Sequence, residues 1–131
     1  MAYKLLLVDD DRDVIETLKV RLSNEGYVVF TAFDGEEALV KVEQDNPDII
    51  LLDLVIPKLG GHEVLKVVRE KYKDRWRPII IMSAKNELDS VQESYELEAD
   101  HYLVKPCTID NILRGIRVMI SLIPLRKDNK Q

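Results

Sequence analysis

The sequence predicts an α/β fold, a doubly wound sheet of five parallel strands with helices on both faces. Two observations predict it. Five short apolar runs recur along the chain, and at least three are continuously apolar, the pattern of strands buried on both faces of a parallel sheet. The segments between them carry helical periodicity, and strands alternating with helices imply right-handed βαβ units.

The elements follow in order. Lys4–Val8 forms the first strand. Ile15, Leu18 and Leu22 then share one face of a helix, with Gly26 as a stop signal just beyond. Val28–Ala32 is the second strand. Asp34 caps a second helix carrying Ala38, Leu39 and Val42, and Glu37 completes a capping box. Ile49–Leu52 is the third strand, and Val64, Leu65 and Val68 stripe the third helix. Residues 79–82 form the fourth strand. The helix expected over 87–97 is the poorest, with Leu88, Val91 and Tyr95 as its anchors, and a weakly anchored helix opens at low cost. Residues 102–104 form the fifth strand. Thr108 caps a last helix striped by Ile112, Leu113, Ile116 and Ile120.

A chain of 131 residues is long enough for one domain with a real core. We expect that domain over residues 1–123, with 124–131, "PLRKDNKQ", as a polar tail or linker stub. A net charge of −5 argues against direct nucleic acid binding, which needs a basic face. No apolar run approaches the ~20 residues of a membrane span, and "MAYKLLLVDD" has no signal-peptide core. Cys107 is the single cysteine, so no internal disulfide forms and a reducing cytoplasm is the simplest setting.

Sites in such sheets lie beyond the carboxyl ends of the strands. There the first strand ends in Asp9-Asp10-Asp11, the third in Asp53, the fourth in Ser83 and the fifth in Lys105, whereas the second ends blandly at Ala32 and Phe33. Two like charges ~4 Å apart repel by about 4 kcal/mol at an effective dielectric near 20, so converging aspartates need a cation or a use. Carboxylates in one crevice suit Mg²⁺, which keeps several waters rather than requiring a full protein cage. A carboxylate beside such a metal can also act as a nucleophile. Phosphoryl transfer asks mainly for positioning and positive charge, which Lys105 and Mg²⁺ supply, with Ser83 giving a hydrogen bond and Asp53 attacking. Asp11 and Asp13 are read as capping the first helix, His62 and His101 as surface residues, Cys107 as a packed thiol, and Trp76 as packing at the opposite end of the sheet.

These residues resemble the receiver domains of two-component response regulators, over nearly the whole chain from about residue 4 to 122. The resemblance rests on the acidic cluster after the first strand, Asp53 followed by Pro57 and Gly61, Ser83-Ala84, and Lys105-Pro106. It implies a flavodoxin-like strand order 2-1-3-4-5, Mg²⁺ (or Mn²⁺) held by Asp9, Asp10, Asp53 and the Val55 carbonyl, and Asp53 as phosphoacceptor. It further implies Ser83, Ala84 and Lys105 around the phosphoryl group, Ser83 and Tyr102 as switch residues, and a cis Lys105–Pro106 peptide. The implied partners are a histidine kinase or phosphotransfer protein, and a downstream protein target or C-terminal effector domain. The implied interaction surface is the fourth helix, fifth strand and fifth helix, which also serves a homodimer. Such a protein is a signalling module rather than a turnover enzyme. Three positions depart from the family pattern: Ser83 replaces the commoner threonine, Cys107 stands where an aromatic often follows Lys-Pro, and Glu98 stands where a glycine usually ends the fourth helix. Val55 and Lys85 occupy positions that tune phosphoryl loss in the family.

The alternative is a Mg²⁺-dependent phosphohydrolase of haloacid dehalogenase type, with Asp9 as nucleophile in an Asp-x-Asp pair with Asp11. Against it, that family's threonine after the pair is absent and 131 residues leave no room for a cap domain. A flavodoxin-like flavin binder shares the fold, but residues 9–11 would repel the cofactor phosphate.

Overall fold

Continuous apolar runs become interior strands in the computed structural model, which describes residues 2–128. All of β3 (Ile49–Leu52) and β4 (Ile79–Ser83), and β1 (Lys4–Val8) beyond its first residue, are buried, while β2 (Val28–Ala32) and β5 (His101–Val104) are only partly so. The five pair in parallel in the order β2-β1-β3-β4-β5, so the two less apolar runs take the edges. The helices are α1 (Arg12–Asn24), α2 (Gly35–Asp45), α3 (Gly61–Lys66), α4 (Leu88–Glu96) and α5 (Ile109–Asp128). None of the described helices is long and apolar enough to cross a membrane.

Strand alternation splits the core in two. Leu5, Leu7, Leu51, Ile80 and Met82 meet the Ile15, Leu18 and Leu22 face of α1 and the Ile112, Leu113 and Ile116 face of α5. Leu6, Val8, Ile50, Leu52 and Ile81 meet Ala38 and Val42 of α2, and Val64, Leu65 and Val68. The caps form as expected. The Asp11 carboxylate accepts the Asp13 and Val14 N–H groups, Asp34 accepts that of Glu37 at 2.7 Å, and Thr108 accepts that of Asn111. Glu37 reaches one residue further back than an ordinary capping box, to the Phe33 N–H. Gly26 follows α1 at φ +97°, where a side chain would be strained.

Three elements differ from expectation. The third helix does not continue as an α-helix: Val67–Lys71 is a π-helical turn, closed by the Tyr72 N–H on the Val67 carbonyl. α4 lacks the apolar anchors assigned to it. Leu88, its first residue, is 73% exposed and Tyr95 is 47% exposed, Val91 is half-buried, and the buried residue of the helix is Ser94. α5 runs on through residues 124–128. The ~3 kcal/mol cost of a proline inside a helix is offset by buried Ile123, an ion pair of Arg126 with Asp100, and Lys127 seated 4.2 Å from the Trp76 ring.

At the sheet end remote from the acidic strand ends, two buried arginines organise the chain. The Arg69 guanidinium donates to the carbonyls of Glu98, Asp74 and Arg77 and to the Asp100 carboxylate. Arg77 donates to the Pro47 carbonyl, the Asp74 carboxylate and Asn46. Burial lowers both pKa values, and the neighbouring aspartates pull them back up.

Glu98 takes the left-handed conformation at φ +72° although it is not glycine. That costs a non-glycine residue ~1–2 kcal/mol. Its carbonyl is held by Arg69, and its exposed carboxylate pairs with Arg75 at 3.0 Å. Glycine's greater freedom in the unfolded chain returns about 0.5–1 kcal/mol of that strain, and an exposed pair contributes little. Glu98→Gly is therefore expected to raise the melting temperature slightly; a fall would mean that the Arg75 pair outweighs the strain.

Candidate functional site

Sheet register assembles the site. Val8 pairs with Leu52, so the next residues, Asp9 and Asp53, leave adjacent strands side by side, and the Asp53 N–H donates to the Val8 carbonyl. Ser83 pairs with Val104, and the Lys105 N–H donates to the Ser83 carbonyl at 2.8 Å. Carboxylate oxygens of Asp9, Asp10 and Asp53 all lie within 4.8 Å of one another.

Lys105 answers part of the repulsion. Its ammonium donates to Asp9 at 2.5 Å and to Asp53 at 3.0 Å. Burial works against its charge, but the hydrogen bonds and charges of the two aspartates win and raise its pKa above the ordinary lysine value. A group raised in this way adds stability that is complete below its unfolded pKa and is lost only as pH rises through the folded one, so Lys105 stays charged throughout the neutral range. The remaining oxygens are fixed by the backbone: Asp9 accepts the Asp11 N–H, and Asp53 accepts the Val55 N–H at 3.2 Å. Three carboxylates against one ammonium leave two negative charges, and an all-oxygen donor set of that charge fits a hard divalent cation.

The flanking residues are equally defined. Gly61 sits against the end of β3 so closely that a Cβ there would lie 2.5 Å from the Asp53 carbonyl oxygen. Ser83 is fully buried, and its hydroxyl accepts the Lys85 N–H at 3.2 Å; Ala84 next to it is exposed. The Tyr102 hydroxyl donates to the Lys85 carbonyl at 2.6 Å, so its ring already leans over the loop that leaves Ser83. Burial raises its pKa, the Ser83 hydroxyl opposes this, and Glu87 and Asp53 add to it. The Lys105–Pro106 peptide is cis. Beside the site an open groove of about 570 Å³ runs between α1 and residues 105–107, lined by Val14, Leu18, Met82, Pro106, Cys107 and Ile112 among others. Burial raises the Cys107 thiol's pKa and Lys105 lowers it.

The family model for the response regulator receiver domain matches residues 5–117. The chain belongs to that family. Solved receiver domains superpose on it closely. A CheY-like receiver domain from Methanospirillum hungatei JF-1 is 26% identical with a TM-score of 0.87, covering 92% of this chain and 95% of its own. Chemotaxis protein CheY4 of Vibrio cholerae is 30% identical (TM-score 0.85), covering 91% and 99%. The receiver domain of Francisella response regulator 1452 is 31% identical (TM-score 0.84), covering 91% and 97%. The phosphohydrolase alternative is not favoured, since the family that matches is the receiver domain.

This receiver domain also contains polar contacts that sequence reasoning missed. His62, expected on the surface, hydrogen-bonds Ser94 at 2.8 Å. The buried Arg69 and Arg77 carried no local signal beyond an arginine one residue past the apolar Val67-Val68 pair and another just before Pro78.

Proposed function

We propose that the protein is a phosphorylation-controlled signalling module in which Asp53 accepts a phosphoryl group from a histidine kinase or phosphotransfer protein. The observation that carries this reading is the convergence of the Asp9, Asp10 and Asp53 carboxylates, with Asp9 and Asp53 paired to the Lys105 ammonium. An Asp53 oxygen attacks phosphorus while the donor's P–N bond breaks. Lys105, 3.0 Å from that carboxylate, moves with its charge onto the new phosphoryl oxygens, and the Ser83 hydroxyl is drawn toward them. Asp9, Asp10, Asp53 and the Val55 carbonyl would hold Mg²⁺, with Mn²⁺ as a substitute. The metal supplies positive charge beside the phosphoryl oxygens. The apolar groove beside the site offers a donor protein a footing within reach of Asp53.

The output surface in this reading is α4, β5 and α5, over residues 87–97, 101–104 and 108–119. Leu88, Tyr95, Val104 and Val118 are large apolar side chains left exposed there. α4 presents Asp89, Glu93 and Glu96 while α5 presents Arg114 and Arg117, a self-complementary arrangement for a twofold homodimer; a downstream protein or effector domain would use the same face. One unpaired cysteine fits a reducing cytoplasm.

Treatment with a small phosphoramidate and Mg²⁺ should add one acid- and base-labile phosphoryl group, which borohydride trapping and peptide mapping would locate on Asp53. A label on Asp9, or turnover of a phosphate ester that survives Asp53→Asn, would return the case to the phosphohydrolase. Metal binding should also stabilise the fold. A ligand at a hundred times its dissociation constant adds about 2.7 kcal/mol, several degrees in melting temperature at this size. Thermal melts decide it: identical curves with and without saturating Mg²⁺, or an undiminished shift in Asp10→Ala, would rule out the metal site.

A further inference from the structure

A second path leads from the acceptor aspartate to α4, and it does not pass through Ser83. Because Gly61 is pressed against the Asp53 and Leu54 backbone, and its N–H donates to the Leu54 carbonyl at 2.9 Å, residue 62 is fixed relative to the acceptor. His62 Nε2 lies 2.8 Å from the hydroxyl of Ser94, the buried residue of α4. That hydroxyl has a single proton, which it donates to the Ser90 carbonyl at 2.9 Å, so the proton between His62 and Ser94 belongs to Nε2. The other ring nitrogen faces the Glu93 carboxylate at 3.5 Å. A helix seated on apolar side chains can slide by fractions of an ångström at little cost. One seated on a hydrogen bond loses it once distance and angle drift, so the contact is either made or broken.

We propose that the His62–Ser94 hydrogen bond is a latch that holds α4 in register against α3, which makes His62 a positioning residue for the switch. The latch stands on geometry alone; its consequence for signalling rests on the phosphoacceptor reading. Phosphorylation at Asp53 then works on α4 from two sides, by pulling the loop after Ser83 and by loading the Gly61–His62 junction. Breaking the latch removes a bond that favours the phosphoryl-free arrangement, so a phosphoryl mimic should bind more tightly.

The test is hydrogen exchange of α4 amides, with a beryllofluoride titration in Mg²⁺, on the whole protein and five variants. His62→Ala and Ser94→Ala should each speed α4 exchange about five-fold, the effect of one lost net hydrogen bond, and the double variant should add nothing further. His62→Gln, which keeps a donor, should restore much of the protection. Ile15→Val thins the core on the opposite face and controls for general loss of stability; it should leave α4 exchange unchanged. Half-saturation by beryllofluoride should fall severalfold in His62→Ala and Ser94→Ala, and in neither His62→Gln nor Ile15→Val. Unchanged α4 exchange in His62→Ala and Ser94→Ala overturns the latch, as does equal acceleration in Ile15→Val. Faster α4 exchange with unaltered half-saturation overturns its link to the switch. If the exchange pattern holds and beryllofluoride binds none of the proteins, the phosphoacceptor reading fails and the latch stands.

Discussion

Asp53→Asn is expected to take up no phosphoryl group while remaining folded. The replacement is isosteric; its single amide oxygen can keep the bond from the Val55 N–H, and Lys105, which loses its Asp53 acceptor, still holds Asp9. What disappears is the carboxylate nucleophile, and an amide oxygen does not replace it in forming an acyl phosphate. Removing one of three converging carboxylates also relieves repulsion. The variant's melting temperature without metal should therefore match or exceed that of the parent, and its Mg²⁺ shift should shrink. Phosphoramidate labelling read by intact mass, together with paired melts, measures both quantities. Undiminished labelling of Asp53→Asn would refute the assignment of the acceptor.

Arg69→Ala is expected to cause the largest loss of stability of any single change discussed. Arg69 is 1% exposed, and its guanidinium holds three backbone carbonyls and one carboxylate. Truncation leaves the carbonyls of Glu98, Asp74 and Arg77 without this donor and removes a fully buried side chain. Breaking a buried, hydrogen-bonded charge of this kind costs about 3–5 kcal/mol. Against a total stability of about 5–15 kcal/mol, that is a large fraction. Arg69→Lys should rescue little, because an ammonium cannot reproduce the planar fork that spans four acceptors. Urea denaturation of the three proteins measures the effect. A loss under about 1 kcal/mol for Arg69→Ala would show that water substitutes for the guanidinium.

The contrast between these two residues explains what could be read from the chain alone. Asp53 was legible because it ends a continuous apolar strand, and strand ends in a doubly wound sheet converge whatever the details of packing. The caps at Asp11, Asp34 and Thr108 were legible because each acts within three residues of itself. Arg69 was not: its acceptors lie from five to 31 positions away, and an arginine in a charged helix reads as solvated until those partners are known. His62 and Ser94, 32 positions apart, were hidden for the same reason. Leu88 and Tyr95 misled because apolar side chains at helical spacing stand in for burial, whereas α4 meets its neighbours through Ser94 and half-buried Val91 and Leu97. Residues 124–128 read as a tail because proline and charge count against helix locally, while Asp100 and Trp76, which hold them, are remote.

The π-helical turn over Val67–Lys71 has a consequence for how the chain can vary in length. A π-turn is an α-turn that has absorbed one additional residue. Each helical residue advances the side-chain direction by roughly 100°, so that one residue resets the phase between the Val64–Leu65 stripe and everything after it. With it, Val68 and Arg69 both end up buried. Deleting any single position between 67 and 71 would restore an uninterrupted α-helix and turn either the apolar stripe or the guanidinium toward water. Substitutions at exposed Lys66, Glu70 and Lys71 should pass almost unnoticed, whereas a deletion one residue long in the same stretch should be as damaging as losing Arg69 itself.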